Sequence, residues 1–199
     1  MNTRQILSRG LIALFSLALL AGAAQAEDWS KLGAKKQTKL GLYMTSQQAY
    51  DHVMANMGKT LFVDLRTPGE LDFLGVTTVM DAHVPYKFMD SATWDDKKHA
   101  YKEYKNKDFV ADMAAVMAKK GLGKDDTVIL ICRSGNRSAA AANDLAAVGY
   151  TKVYTVVDGY EGDKAKSGPD KGRRTVNGWK NSGLPWTYHM DKSVMYFTK

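Results

Sequence analysis

The stretch Thr127-Val128-Ile129-Leu130-Ile131-Cys132-Arg133-Ser134-Gly135-Asn136-Arg137-Ser138 decides how this chain folds. Its first five residues are an apolar, β-branched run of the kind found in buried strands. The alanine-rich run from Ser138 to Val148 has the composition of a helix. Between them stands Cys132, the only cysteine of the chain. In an open α/β sheet, ligands bind beyond the carboxyl ends of the strands, which is where this order puts Cys132. Ser134, Gly135 and Asn136 allow backbone N–H groups to turn inward. The helix that follows adds the positive end of its dipole, and Arg133 and Arg137 add formal charge. All three effects favour the thiolate, which is the nucleophile. The same cradle suits an anionic substrate, or the negative charge left after attack. The bland alternative is a buried cysteine acting as a small hydrophobe. A core position of that kind has no use for two arginines and a glycine turn.

Working outward, strand and helix signals alternate. Leu40 to Met44 reads as a short strand, and Thr45 or Ser46 caps a helix running to about Met57. Leu61 to Leu65 is a buried strand closed by the turn residues Thr67-Pro68-Gly69. Ala82 to Pro85 is another short strand. Residues 90–107 are polar and lysine-rich and read as a surface excursion. Asp108 starts a helix that carries Phe109, Met113, Val116 and Met117 on one face. Val153 to Val157 is the last clear strand, and a short helix is expected near Val176 to Asn181. This order predicts an α/β domain with an open parallel sheet of about five strands and helices on both faces.

The first 26 residues read as a secretory signal. Arg4 and Arg9 precede the apolar core Leu11 to Leu20, and Ala24-Gln25-Ala26 fits cleavage after Ala26. That core is too short to span a bilayer. The expectation is a periplasmic or secreted protein whose residues 27–199 form a single domain. Without the signal's arginines the net charge is about +5, from +7 for the whole chain. The basic residues are scattered, and no nucleic-acid motif stands out. The four histidines and one cysteine show no metal-ligand spacing, so neither metal nor cofactor is expected. An exported chain usually pairs its cysteines, so an unpaired one points to chemistry.

Cys132-Arg133-Ser134-Gly135-Asn136-Arg137-Ser138 resembles the active-site loop of the rhodanese (sulfurtransferase) family. Asp64-Leu65-Arg66-Thr67-Pro68-Gly69-Glu70 resembles that family's Asp-x-Arg stretch after an early strand. The likeness extends over about residues 42–186. It implies a rhodanese-like fold in which Cys132 takes a sulfane sulfur from a thiosulfate-type donor. The sulfur is held as a persulfide and passed to cyanide or another thiol. By the same resemblance, Arg133 to Ser138 bind the small sulfur-containing anion, and Asp64 and Arg66 support the site. Four residues separate Cys132 from Arg137. Related cysteine phosphatases resemble a longer Cys-x5-Arg loop, so the spacing favours sulfur over phosphate.

The chain departs from the family pattern in three places. Leu71 to Asp81 delays Ala82-His83-Val84-Pro85-Tyr86, the counterpart of a Gly-His-Ile-Pro-Gly-Ala type stretch. Residues 90–107 and 160–174 are the other long insertions. Two functions remain in view. One is an enzyme that turns over thiosulfate. The other is a persulfide carrier whose insertions dock a protein or thiol acceptor. A disulfide oxidoreductase is disfavoured, because no second cysteine can resolve a mixed disulfide.

Overall fold

The computed structural model describes residues 27–198, and the chain from residue 31 onward forms one compact unit. The expectations for residues 1–26 lie outside the described residues. No helix among the described residues is long and apolar enough to cross a membrane.

In chain order the elements are β1 (Tyr43–Met44), α1 (Ser46–Ala55), β2 (Thr60–Asp64), α2 (Pro68–Leu74), β3 (Val76–Thr77) and β4 (Ala82–His83). Then come β5 (Lys87–Asp95), β6 (Ala100–Lys105), α3 (Phe109–Lys119), β7 (Thr127–Ile131), α4 (Asn136–Ala147), β8 (Val153–Val156) and β9 (Trp186–Thr187). Five strands form a sheet in the order β1-β8-β7-β2-β4, and every pairing in it is parallel. The expected α/β architecture is therefore present.

Strand alternation explains how both faces are covered. From β2 and β7, Leu61, Val63, Val128 and Leu130 meet Phe109, Met113 and Met117 of α3 and Ala141, Ala142 and Leu145 of α4. Phe62, Ile129 and Ile131 point the other way, toward Ala49 and Val53 of α1 and toward Tyr160, Trp179 and Leu184. Trp179 is fully buried and stacks on Phe62 with ring centroids 5.5 Å apart. Its indole N–H donates to the Pro185 carbonyl at 2.9 Å, so this large ring buries no unpaired donor.

Several expectations need correction. Thr67-Pro68-Gly69 does not end in a turn but opens α2. The Thr67 hydroxyl accepts from the Glu70 N–H while the Glu70 carboxylate accepts from the Thr67 N–H, with Pro68 in the first turn. Residues 90–107 lie mostly at the surface as expected, but β5 and β6 form an antiparallel hairpin there. The expected helix at Val176 to Asn181 is a series of turns. Those turns are gathered around buried Asp158, which accepts from the Gly178 N–H at 3.1 Å and from both donors of Ser46 at 2.9 Å. Helix α4 starts at Asn136 rather than Ser138, and β1 and α1 are shorter than expected. A further antiparallel pair, β3 with β9, closes the segment between α2 and β4 against the C-terminal region.

Candidate active site

Strand β7 lies at the centre of the sheet and delivers Cys132 to its carboxyl end. The turn from Cys132 to α4 requires glycine. Gly135 has φ +90°, and a Cβ there would collide with the Val157 carbonyl oxygen. A second glycine packs from the turn after β8. Gly159 has φ +67°, and a Cβ there would lie 2.6 Å from both the Cys132 carbonyl oxygen and the Ser134 nitrogen. This closeness lets two hydrogen bonds form from neighbouring residues. The Tyr160 N–H donates to the Cys132 carbonyl at 2.8 Å, and the Glu161 N–H donates to the Arg133 carbonyl at 3.0 Å. Outward-facing loop carbonyls are thereby held by the 158–161 turn. The N–H groups in the first turn of α4 have no intrahelical acceptor and lie next to the loop.

Cys132 is 1% exposed and lies at the base of a pocket of about 840 Å³. Arg133, Ser134, Asn136 and Arg137 line that pocket with it. Gly135 and Ser138 do not: Gly135 faces Val157, and Ser138 is fully buried with its hydroxyl lacking a hydrogen-bond partner. Arg133 is half exposed, with its Nε 3.9 Å from Glu161. Arg137 is mostly buried and held as a fork on Glu70, with both N···O distances 2.6 Å. Burial alone would raise the Glu70 pKa. The Arg137 hydrogen bonds and charge, helped by the Thr67 N–H, overcome this and hold it at about 2. The Arg137 guanidinium pKa is displaced upward: burial opposes charge, and its contacts with Glu70 outweigh that opposition.

Asp64 and Arg66 stand beside this loop without reaching the pocket. Asp64 is in register with Ile131, and the Leu65 N–H donates to the Ile131 carbonyl at 2.8 Å. The Arg66 guanidinium is fully buried and makes its shortest bond to Asp64, at 2.6 Å. It also donates to the Gly75 carbonyl at 2.9 Å and lies 3.7 Å from the centre of the Tyr160 ring. Burial tends to lower the Arg66 pKa, but the charge and hydrogen bonds of Asp64 raise it. His83 touches the Arg66 carbonyl oxygen through Nε2 at 2.7 Å. The carbonyl can only accept, so Nε2–H is the donor, and burial lowers the His83 pKa. These groups fix the end of β2, which in turn supports the Cys132 loop.

Sequence reasoning missed two contributors. Glu70 was visible only as the end of the Asp-x-Arg stretch, although Thr67-x-x-Glu70 is a capping signature that would have placed it. The opposite pocket wall comes from the β5–β6 hairpin, through Lys87, Met89, Trp94, Lys98, Tyr101 and Glu103. Among the described residues no cluster of His, Cys, Asp and Glu suits a metal ion.

The chain resembles known proteins in both sequence and fold. The rhodanese-like domain family matches residues 46–166. An uncharacterized protein from Rickettsia prowazekii is 30% identical over 143 residues, covering 72% of this chain and 94% of that protein. The thiosulfate sulfurtransferase GlpE of Tolumonas auensis is 44% identical over 39 residues, which are 20% of this chain and 37% of that enzyme. The crystal structure of Rv0390 from M. tuberculosis superposes with a TM-score of 0.54 at 28% identity, covering 74% of this chain and 97% of that one. The chain belongs to the rhodanese-like domain family, a family of sulfurtransferase kind.

Proposed function

We propose that this protein is a sulfurtransferase that carries sulfane sulfur as a persulfide on Cys132. The observation that carries this reading is a lone thiol at the base of a cationic pocket, next to the N-terminus of α4. Loading begins when the Cys132 thiolate attacks the outer sulfur of thiosulfate. A new S–S bond forms to Cys132, the S–S bond of thiosulfate breaks, and sulfite leaves with its electron pair. Total charge is conserved, and no oxidant is required. Like charges must approach in this step, and Arg133 and the α4 dipole offset the repulsion. Discharge is the reverse kind of displacement. Cyanide or a thiolate attacks the outer sulfur, and Cys132 departs as thiolate.

Steady-state formation of thiocyanate from thiosulfate and cyanide tests this reading. Turnover that disappears in Cys132→Ser supports it; turnover unaffected by that change contradicts it. A carrier role has one observation in its favour, the near-complete burial of Cys132 under the hairpin wall. A carrier would load readily and release sulfur slowly to free cyanide. Export to the periplasm or outside the cell is part of the same proposal. There an unpaired thiol kept from other thiols by burial would survive oxidation.

A further inference from the structure

The hairpin β5–β6 is built to turn one face into the pocket. Its register pairs Lys87 with Lys105, Met89 with Glu103 and Trp94 with Tyr101. Lys87, Met89, Trp94, Tyr101 and Glu103 all line the pocket. The pairs Phe88–Tyr104 and Asp90–Lys102 use the other face, where the Phe88 ring meets Tyr196 at 5.8 Å. In a regular strand Trp94 would share the face of Asp90, since the two lie an even number of residues apart. A bulge at Ser91, Ala92 and Thr93 reverses this, because Asp90 pairs with Lys102 and Trp94 already pairs with Tyr101. Asp90 holds the bulge, accepting from the Ala92 N–H at 2.9 Å and from the Thr93 hydroxyl at 2.7 Å. The bulge thus aims an indole, edge-on to Tyr101 at 5.5 Å, into the space above Cys132.

Two properties of that space go beyond what a small inorganic anion needs. Its volume of about 840 Å³ falls within the roughly 300–1,000 Å³ range of sites for organic ligands. Its walls combine an aromatic pair with five basic side chains, Lys35, Lys87, Lys98, Arg133 and Arg137, against the carboxylates Glu70 and Glu103.

We propose that the hairpin forms an acceptor subsite for organic thiols bearing a carboxylate or similar anion and a flat apolar group. Trp94 and Tyr101 pack the apolar group, and Lys98 and Lys35 meet the anion. This rests on the sulfur-transfer reading above and names the acceptor class. The thiolate attacks the outer sulfur of the Cys132 persulfide. The Cys132 S–S bond breaks, and the acceptor leaves as its own persulfide.

The test uses wild-type protein loaded with thiosulfate and follows discharge by intact mass. Acceptors are N-benzoylcysteine, its methyl ester, N-acetylcysteine and cyanide. N-Benzoylcysteine should discharge the protein about tenfold faster than N-acetylcysteine at equal thiolate concentration, the scale of one aromatic contact. It should also outpace its methyl ester. In Trp94→Ala the ratio of N-benzoylcysteine to cyanide rates should fall about tenfold. Should that variant fail to fold, Lys98→Ala alters an exposed lysine, 3.3 Å from Asp95, and should lower the acid-to-ester ratio. Equal rates for the three thiols in the wild type overturn the subsite while leaving sulfur transfer intact. A uniform loss for every acceptor in Trp94→Ala also overturns it. Failure of thiosulfate to load Cys132 at all overturns the sulfur-transfer reading, and this one with it.

Discussion

Glu70→Gln isolates one charge at the centre of the site. Glutamine keeps the shape of the side chain, and it can still cap α2, where Gln serves as well as Glu. What is lost is the anion under Arg137. The two side chains are 19% and 13% exposed, so solvent screens them little. The Glu70 pKa lies at about 2, against 4.5 for an unperturbed carboxyl. Linkage converts this difference to about 3 kcal/mol of stability at neutral pH. A lowered acid pKa means the contribution is present above about pH 4.5 and is lost as pH falls toward 2. Urea unfolding at pH 7 should therefore show Glu70→Gln less stable by about 3 kcal/mol, with a similar m-value. At pH 3 the gap should narrow to about half, because the unfolded wild type then takes up a proton that the folded state does not. Combining it with Arg137→Gln should recover part of the loss, since a buried cation without its partner costs more than removing both. A loss under about 0.5 kcal/mol at pH 7 would refute the reasoning, as would a gap that does not change with pH.

Three further outcomes follow from the geometry. Gly159→Ala forces a Cβ onto the Cys132 loop, so it should cost about 1–3 kcal/mol and slow thiosulfate loading, read by urea unfolding and by mass; wild-type loading would contradict the contact. Arg133→Ala removes a half-exposed cation from the pocket, so loading should slow while stability changes by less than about 0.5 kcal/mol; unchanged loading would remove Arg133 from anion binding. His83 has a pKa lowered by burial, so the folded state resists protonation and stability should decline as pH falls below about 6.5. His83→Gln should flatten that part of the pH profile, and an unflattened profile would show that another group is responsible.

The sheet was legible because its strands are buried on both faces and read as continuous apolar runs. Leu61 to Leu65 and Thr127 to Ile131 are of this kind, and the strand-turn-helix around Cys132 follows from the same pattern. The loop itself was legible because glycine and arginine are costly to place there without purpose. The hairpin was not legible, for a physical reason. Most side chains of β5 and β6 are exposed or only partly buried, and the bulge at Ser91 to Thr93 breaks the alternation that marks a strand. The turns at 176–181 hid for another reason. They are organised by hydrogen bonds from Gly178, Trp179 and Lys180 to Asp158, Gly159 and Tyr160, about twenty residues away in the chain, and local composition carries no trace of that. The ion pair of Glu70 with Arg137 likewise joins groups 67 residues apart. Sequence spacing showed the two ends and not the bond.

The central claim is that Cys132 carries sulfur, and intact mass tests it most directly. Protein incubated with thiosulfate and desalted should gain one sulfur atom, ~32 Da, at its only thiol. Dithiothreitol should remove the gain, and Cys132→Ser should never show it. A folded wild-type protein that gains no mass from thiosulfate or from any other sulfane donor would contradict the account.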